Sequence, residues 1–564
     1  MRGRWTFDPA RRWPGGPRPL VWKGPHEPDD GDFVVAELEP DEGPAHLVEV
    51  LGADDRPAWD DASVASQHRL RIRFPAEAER EAAAFGEPGA AERAGRLDLR
   101  DRLVFTIDPA DARDHDDALS FGEAPGGHAE VGIHIADVSH YVAAGGALDR
   151  EAALRGTSCY LPGGVIPMLP ESLSADLCSL RPDRDRLTLS VLVTLDTHGR
   201  VHGVRFAESV IRSRHRLHYG EVQACFDGAK RFSRPLQDAL EGLRPLARAL
   251  RRRRFAAGAL DLEVPEAKAV VDVQGRVLAM ERREALESHA LVEEFMLLAN
   301  RCVGNEAARR RAGVLWRVHD PPSPGKLAEL DAVLKALRLP RPGAGGDAAR
   351  ALQALLRAPL DPPHRRLLHR MVLRSLPRAR YLERDVGHFG LAVREYLHFT
   401  SPIRRYPDLH NHRRVREWLR GAPDAAWDPA ALADLAAATS AAEQEAADAE
   451  RDAVRVKGLR HLEGRLGERA SGSITGLVPR GFFVELDDAP VEGFVRPSLY
   501  LDDHFALDDT GVRMVGRHTR TRFTLGDPVV VVVARVDVPA RECELALDVA
   551  PRGRGRRQGR RGWR

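Results

Sequence analysis

The sequence predicts an α+β protein in which a large central domain of mixed strands and helices is flanked by small OB-type β-barrels. Three observations predict it. Short β-branched and aromatic runs separated by turn residues lie towards both ends, at Asp32–Leu38 and His46–Gly52 and again between Ser471 and Val536. Between them, strand-like alternation is interleaved with helix-period stretches. At 564 residues, the chain is also long enough for several cores rather than one.

Taken in order, residues 1–30 are rich in Pro, Gly, Trp and Arg without periodicity and are expected to be irregular. Residues 31–75 supply the first barrel, and residues 76–96, dense in Ala and Glu, a linker helix. The central domain is placed at 97–465. Its strand-like runs include Leu103–Ile107, Ala129–Ile135 and Leu187–Leu195, and its helix-like runs Leu286–Asn300 and Leu327–Leu337. In the first helix Leu291, Phe295 and Leu298 share one face, and Val292, Met296 and Ala299 another, so burial on most of its circumference is expected. Residues 428–462 have no Gly or Pro between Ala430 and Lys457 and predict a long helix packed on one side. The second barrel, at 466–550, is built from Ser471–Val478, Gly481–Leu486, Val491–Val495 and Val529–Val536, with glycine corners. The basic tail at 551–564 is expected to be disordered.

Composition excludes more than it identifies. Eighty-five basic residues against 84 acidic ones leave a net charge of +1, which points to no partner. No run approaches the roughly 18 apolar residues of a membrane helix, and the N-terminus lacks the pattern of a signal peptide. A cytoplasmic protein without a membrane partner is therefore expected. Cys159, Cys178, Cys225, Cys302 and Cys543 are odd in number and contain no CxxC pair, which argues against a disulfide framework and a zinc site. Basic clusters at Arg251–Arg254, Arg309–Arg311, Arg365, Arg366, Arg370 and Arg552–Arg564 suit phosphate contacts, but a GC-rich genome produces the same arginine bias.

The stretch Thr106–Ala118 carries five carboxylates, Asp108, Asp111, Asp114, Asp116 and Asp117, directly after an apolar strand. Either it is a solvated turn or it is a site for hard cations, which take oxygen ligands. Strand-like residues on both sides favour the cation site. Counting from Asp114, the sixth and twelfth positions are Leu119 and Pro125. A calcium loop needs Gly and Glu there. A magnesium site for phosphodiester cleavage remains, in which two ions roughly 3.5–4 Å apart act on the attacking and leaving oxygens.

This stretch resembles the catalytic signature of the RNase II/RNase R family, whose catalytic unit is the RNB domain: an Asp leading a loop that ends in Asp-x-Asp-Asp-Ala. A second family signature is matched by His398-Phe399-Thr400-Ser401-Pro402-Ile403-Arg404-Arg405-Tyr406. Further matches occur at Arg155–Pro162, His134–Ser139, Leu177–Leu180, Glu293–Leu297, Arg317–His319 and Gly387–Leu391.

By position, the resemblance implies that Asp108, Asp114 and Asp117 hold a first magnesium ion. Asp116 serves a second and the attacking water, while Asp111 is not a ligand. Arg404 would grip the scissile phosphate. Arg405 would support the RNA backbone or a structural carboxylate, and is grouped with the substrate-binding residues. Tyr160 would stack on the terminal base, and Glu450 would lie near the RNA end. His115 departs from the family, where an aromatic such as Phe is usual, and is taken as a packing residue.

The first barrel would be cold-shock-like and the second S1-type, with Phe482, Phe483 and Arg480 offering stacking and charge. One of the two phenylalanines must fill the barrel, because neighbours on a strand face opposite ways. Of the two cold-shock-type barrels common in the family only the second is recognisable, which leaves the handling of structured RNA unpredicted.

The implied activity is processive 3′-to-5′ hydrolysis of single-stranded RNA to nucleoside 5′-monophosphates, in RNA decay and processing. A monomer is expected, with association with other RNA-decay proteins or ribosomes left open. An RNA-binding protein with a decayed nuclease site is the rival, and the intact set of Asp108, Asp114, Asp116, Asp117 and Arg404 argues against it.

Overall fold

A computed structural model describes residues 6–7, 17–22, 28–29, 32–39, 43–53, 57–264, 266–282, 285–342, 347–422 and 427–548. The central domain is organised by strands β1 (Leu97–Asp98), β2 (Val104–Asp108), β3 (Asp117–Ala124), β4 (His128–Ala136), β5 (Asp185–Leu195) and β6 (Val201–His218). They lie in the order β5-β4-β3-β2-β6-β1, and β6 also pairs with β5. The ring closes because β6 is long enough to serve two neighbours. Its first part runs antiparallel to β5, and its last residues run parallel to β2, from Ser213 beside Val104 to His218 beside Asp108.

That division opens a fork. Strands β2 and β3 pair only at Val104 with Ser120 and Phe105 with Leu119. Beyond this, Asp108 follows β6 while Asp117 registers with Ile135 of β4. The acidic loop spans the gap between two strands, each anchored elsewhere. Beneath it, Ile107, Leu119, Ile133, Ile135, Leu189 and Val191 belong to one apolar core, together with helix α1 (Glu287–Arg310). On that helix Leu291, Val292, Phe295, Leu298 and Ala299 are buried, as the all-round apolar pattern predicts.

Helix α2 (Tyr406–Leu419) follows the arginine signature, and α3 (Pro429–Glu463) follows α2. The buried residues of α3 form a single stripe through Leu432, Ala436, Ala446, Ala449 and Ala453, and then widen around Val456–Leu459. There Lys457 is 1% exposed, and its ammonium donates to Pro57 O (2.6 Å), Gly275 O (2.9 Å) and Asp60 Oδ2 (3.0 Å). The one-sided expectation therefore fails at this end, because a buried cation is stable only when its donors are satisfied. Strands at Arg469–Val478, Gly481–Leu486, Glu492–Val495, Glu542–Leu547 and Pro528–Asp537 close the C-terminal barrel in that order.

The N-terminal region corrects three expectations. The described residues at 32–38 and 45–53 form the expected hairpin, but it continues into 18–21 and 6–7 as an open four-stranded sheet. Part of the segment expected to be irregular is thus strand, and no closed barrel forms among the described residues of this region. Residues 57–67 are helical rather than barrel, with Asp60 and Asp61 in the first turn of the Asp60–Gln67 helix and Lys457 and Arg460 paired to Asp60. Acids suit the positive N-terminal end of a helix. The linker is two helices, Ala76–Ala83 and Ala90–Arg93. Gly86, Pro88 and Gly89 lie between them and break the run. The 551–564 tail lies outside the described residues. Among those described, no helix is long and apolar enough to cross a membrane, and the five cysteines are buried and free.

Candidate active site

The acidic loop is held from two sides by groups that touch its backbone. On one side, the Ser179 hydroxyl donates to Arg113 O (2.7 Å) and accepts from the His115 N–H (3.0 Å), while the Leu180 N–H donates to His115 O (2.9 Å). Ser179 is fully buried, as is Arg186, whose Nε donates to Ser179 O (2.9 Å). On the other side, Arg216 Nη2 reaches across from β6 to Ala110 O (2.8 Å) and Ala112 O (3.0 Å). Satisfying these backbone groups fixes a run of like charges that would otherwise repel itself open.

The second signature meets this loop although 287 positions separate the partners. The Ile403 N–H donates to Asp116 Oδ1 at 2.8 Å, and Arg404 Nε stands 3.4 Å from Asp116 Oδ2. The Arg404 guanidinium is also fixed by the Ser401 hydroxyl, 3.0 Å from Nη2, and stays about two-fifths exposed. A third segment completes the wall. The Ser158 N–H (2.9 Å) and Thr157 hydroxyl (3.0 Å) donate to Arg404 O, and the Tyr406 N–H donates to Gly156 O (2.9 Å). Gly156 sits at φ +66°, where an added Cβ would fall 2.5 Å from Ala442 Cβ of α3, so only glycine permits this junction. Tyr160 is thereby placed between the acids and α3. Its hydroxyl donates to Asp114 Oδ2 and its backbone N–H to Glu450 Oε1, both at 2.7 Å. Tyr160 as a whole remains 38% exposed.

Burial sets the electrostatics. Asp116 is 4% exposed, and desolvation pushes its carboxyl well above the usual range; Arg404 opposes this, and the charge of Asp114 adds to it. Asp117 is raised for the same first reason, with Asp108 next. Desolvation also raises Glu450. Uncompensated, such acids hold protons; a nearby divalent cation restores their charge.

The donor set fits a hard divalent ion. Asp108 Oδ2 and Asp116 Oδ2 are buried without a hydrogen-bond partner. Among the described residues, no three His, Cys, Asp or Glu side chains stand close enough together to hold a metal ion by themselves. Asp114 and Asp116 are instead turned onto protein donors, so water and substrate oxygens would have to complete any coordination.

Asp108, Asp114, Asp116, Asp117, Arg404, Tyr160 and Glu450 are thus brought together, while Asp111 faces solvent with Lys268 Nζ 3.9 Å away. Arg405 corrects an expectation. Its Nε (2.9 Å) and Nη2 (2.8 Å) clasp the fully buried Asp408, whose Oδ1 also accepts the Ser401 N–H (2.8 Å). It is the structural-carboxylate partner and is not available to RNA, because a bidentate buried pair does not release its guanidinium cheaply. Ser179 and Arg216 were missed as contributors to the site. The Leu177–Leu180 match was the only signal for the first; Arg216 had none.

The RNB domain family matches residues 96–421, and the S1 RNA binding domain family residues 464–547. The fold and this site define an exoribonuclease of the RNB class, acting from 3′ to 5′. The chain is 37% identical to Ribonuclease R of Aquifex aeolicus over 508 residues, 89% of this chain and 72% of that one. It is likewise 37% identical to Ribonuclease R of Thermotoga maritima over 532 residues, 91% and 74% of the two chains. The structure of Mycoplasma genitalium RNase R in complex with ribose methylated single-stranded RNA matches with a TM-score of 0.86 at 25% identity, covering 94% of this chain and 85% of that one. The chain belongs to the RNase II/RNase R family.

Proposed function

We propose that this enzyme hydrolyses single-stranded RNA processively from its 3′ end, releasing nucleoside 5′-monophosphates in RNA decay and processing. We place it in the cytoplasm as a monomer. The observation that carries the proposal is the approach of Arg404 to Asp116, beside the Ile403 N–H bond to the same carboxylate. It sets one fixed cation opposite a buried acid cluster, with an exposed aromatic ring alongside.

In this mechanism Tyr160 stacks on the terminal base, and its sequence tolerance follows from the π-face that every base offers. Glu450 holds the Tyr160 backbone in place and lies near the RNA end. Arg404 binds the scissile phosphate and stabilises charge developing on its oxygens. Asp108, Asp114 and Asp117 would hold one magnesium ion, and Asp116 a second together with the attacking water. Bound there, magnesium supplies Lewis-acid activation of the phosphate and a more acidic water. Asp116 orients that water, and the buried walls limit access by others. Phe483 and Arg480 of the C-terminal barrel hold the upstream strand.

A 5′-labelled oligonucleotide assay with magnesium tests this. The expected outcome is conversion of the full-length RNA to a short 5′-labelled end product with few intermediates, and release of free 5′-monophosphates. Internal fragments, or binding without cleavage, would overturn it, the latter in favour of a decayed nuclease.

A further inference from the structure

His115 lies inside the acidic loop, yet it does not behave as a packing residue. It is 3% exposed, and among the described residues its ring stacks on no other. Its backbone is pinned on both sides, the His115 N–H donating to Ser179 Oγ and the Leu180 N–H donating to His115 O. Its Nδ1 lies 2.8 Å from Asp108 Oδ2, but the two atoms lack the alignment of a hydrogen bond, and both are otherwise unpartnered.

Two buried heteroatoms held at that distance, without the alignment of a hydrogen bond, have the spacing of neighbouring ligands on one ion. With metal–ligand bonds of about 2.1 Å at right angles, adjacent donors stand about 3 Å apart. A site of carboxylates and water favours magnesium, whereas an imidazole nitrogen favours first-row transition metals.

We propose that His115 Nδ1 is a ligand of the cation held by Asp108, and that it shifts this site's preference from magnesium towards manganese and its heavier first-row neighbours. The inference rests on the proposed function, in which these acids hold divalent ions, and it adds the identity of a donor and the class of metal.

Two measurements test it on the full chain. The first is the pulsed electron paramagnetic resonance spectrum of bound Mn²⁺ in the unaltered protein. Modulation from a directly coordinated ¹⁴N is expected. Bound Mn²⁺ without nitrogen coupling overturns the proposal and leaves the carboxylate site standing. No binding of either Mn²⁺ or Mg²⁺ overturns the metal site and the proposal with it.

The second is calorimetric titration of Mn²⁺ and Mg²⁺ into the unaltered protein and His115→Phe. The ratio of the Mg²⁺ to the Mn²⁺ dissociation constant should fall about tenfold or more in the variant, mostly through weaker Mn²⁺ binding. An unchanged ratio, including equal weakening of both ions, overturns it and makes His115 a positioning residue for Asp108. Should the variant fail to fold, the spectrum of the unaltered protein still decides the question.

Discussion

The aspartate loop and the C-terminal barrel differ in how far the protein itself fixes their chemistry. In the loop, Asp116 is buried, one of its oxygens already accepts a backbone N–H, and Ser179 and Arg216 secure the surrounding main chain. On the barrel, Phe483 and Phe494 lie 5.0 Å apart and line an open cavity of about 550 Å³ beside Arg455, Arg480 and Arg496. The neighbouring Phe482 is fully buried inside. Reaction at one phosphorus demands placement to a fraction of an ångström. Holding a strand by ring faces and charge tolerates looser placement. Substitutions should therefore separate the two regions by which kinetic constant they move.

The largest effect is expected in the loop. Asp116→Asn should lower single-turnover cleavage roughly 10²–10⁴-fold, with RNA affinity by filter binding nearly unchanged. Arg404→Ala should cost roughly 10²–10³-fold without lowering the melting temperature, because its side chain is partly exposed and holds no core element. If either variant lost RNA binding and kept its rate constant, the division of labour would be reversed.

On the barrel, Phe483→Ala should raise KM by about 5- to 150-fold, as the loss of about 1–3 kcal/mol of base stacking implies, at a kcat close to that of the parent. Phe482→Ala should act through stability instead, by about 3–5 kcal/mol in chemical denaturation. Equal effects on KM from the two would contradict the assignment of inward and outward faces.

Smaller still is Ser179→Ala, which strands a buried N–H and a carbonyl at a cost of about 1–3 kcal/mol. The magnesium concentration for half-maximal rate should rise with it, whereas a purely structural serine would leave that concentration unmoved.

The smallest effect concerns acid. Burial pushes His412 down to about 4 and His134 to about 3, so both are neutral when folded and take up protons near pH 6.5 when unfolded. Their stabilisation is present above that pH and shrinks as pH falls towards the folded values. His412→Gln keeps an N–H donor for Phe399 O, and should remove about 0.7 kcal/mol of the stability lost between pH 7 and 6. An identical pH slope in the variant would rule this out.

What could be read from the chain was local. The fork strands, α1, α3 and the C-terminal barrel announce themselves through periodicity, and the acid cluster through its density of charge. What could not be read depends on partners distant in sequence. Strand β6 carries Arg, His and Glu at positions that face solvent or salt partners, so its alternation is masked, and Arg216 was hidden with it. Ser179 acts through one hydroxyl on a distant backbone, which no composition reveals. Arg405 was decipherable in principle, since Asp408 follows three residues later at the start of a helix. The basic clusters decided nothing in the sequence, and several are spent internally: Arg254 on Glu294, Arg251 on Asp261 and Arg370 on Glu485. At the N-terminus, a hairpin looked the same whether it closed a barrel or edged an open sheet.

The most direct measurement is anomalous diffraction from crystals soaked with Mn²⁺ and a non-hydrolysable RNA. Ion density among Asp108, Asp114, Asp116 and Asp117, with the Arg404 guanidinium on the last phosphate, is the predicted result. Well-ordered RNA whose final linkage lies away from those carboxylates, or saturating metal that leaves them empty, would contradict it.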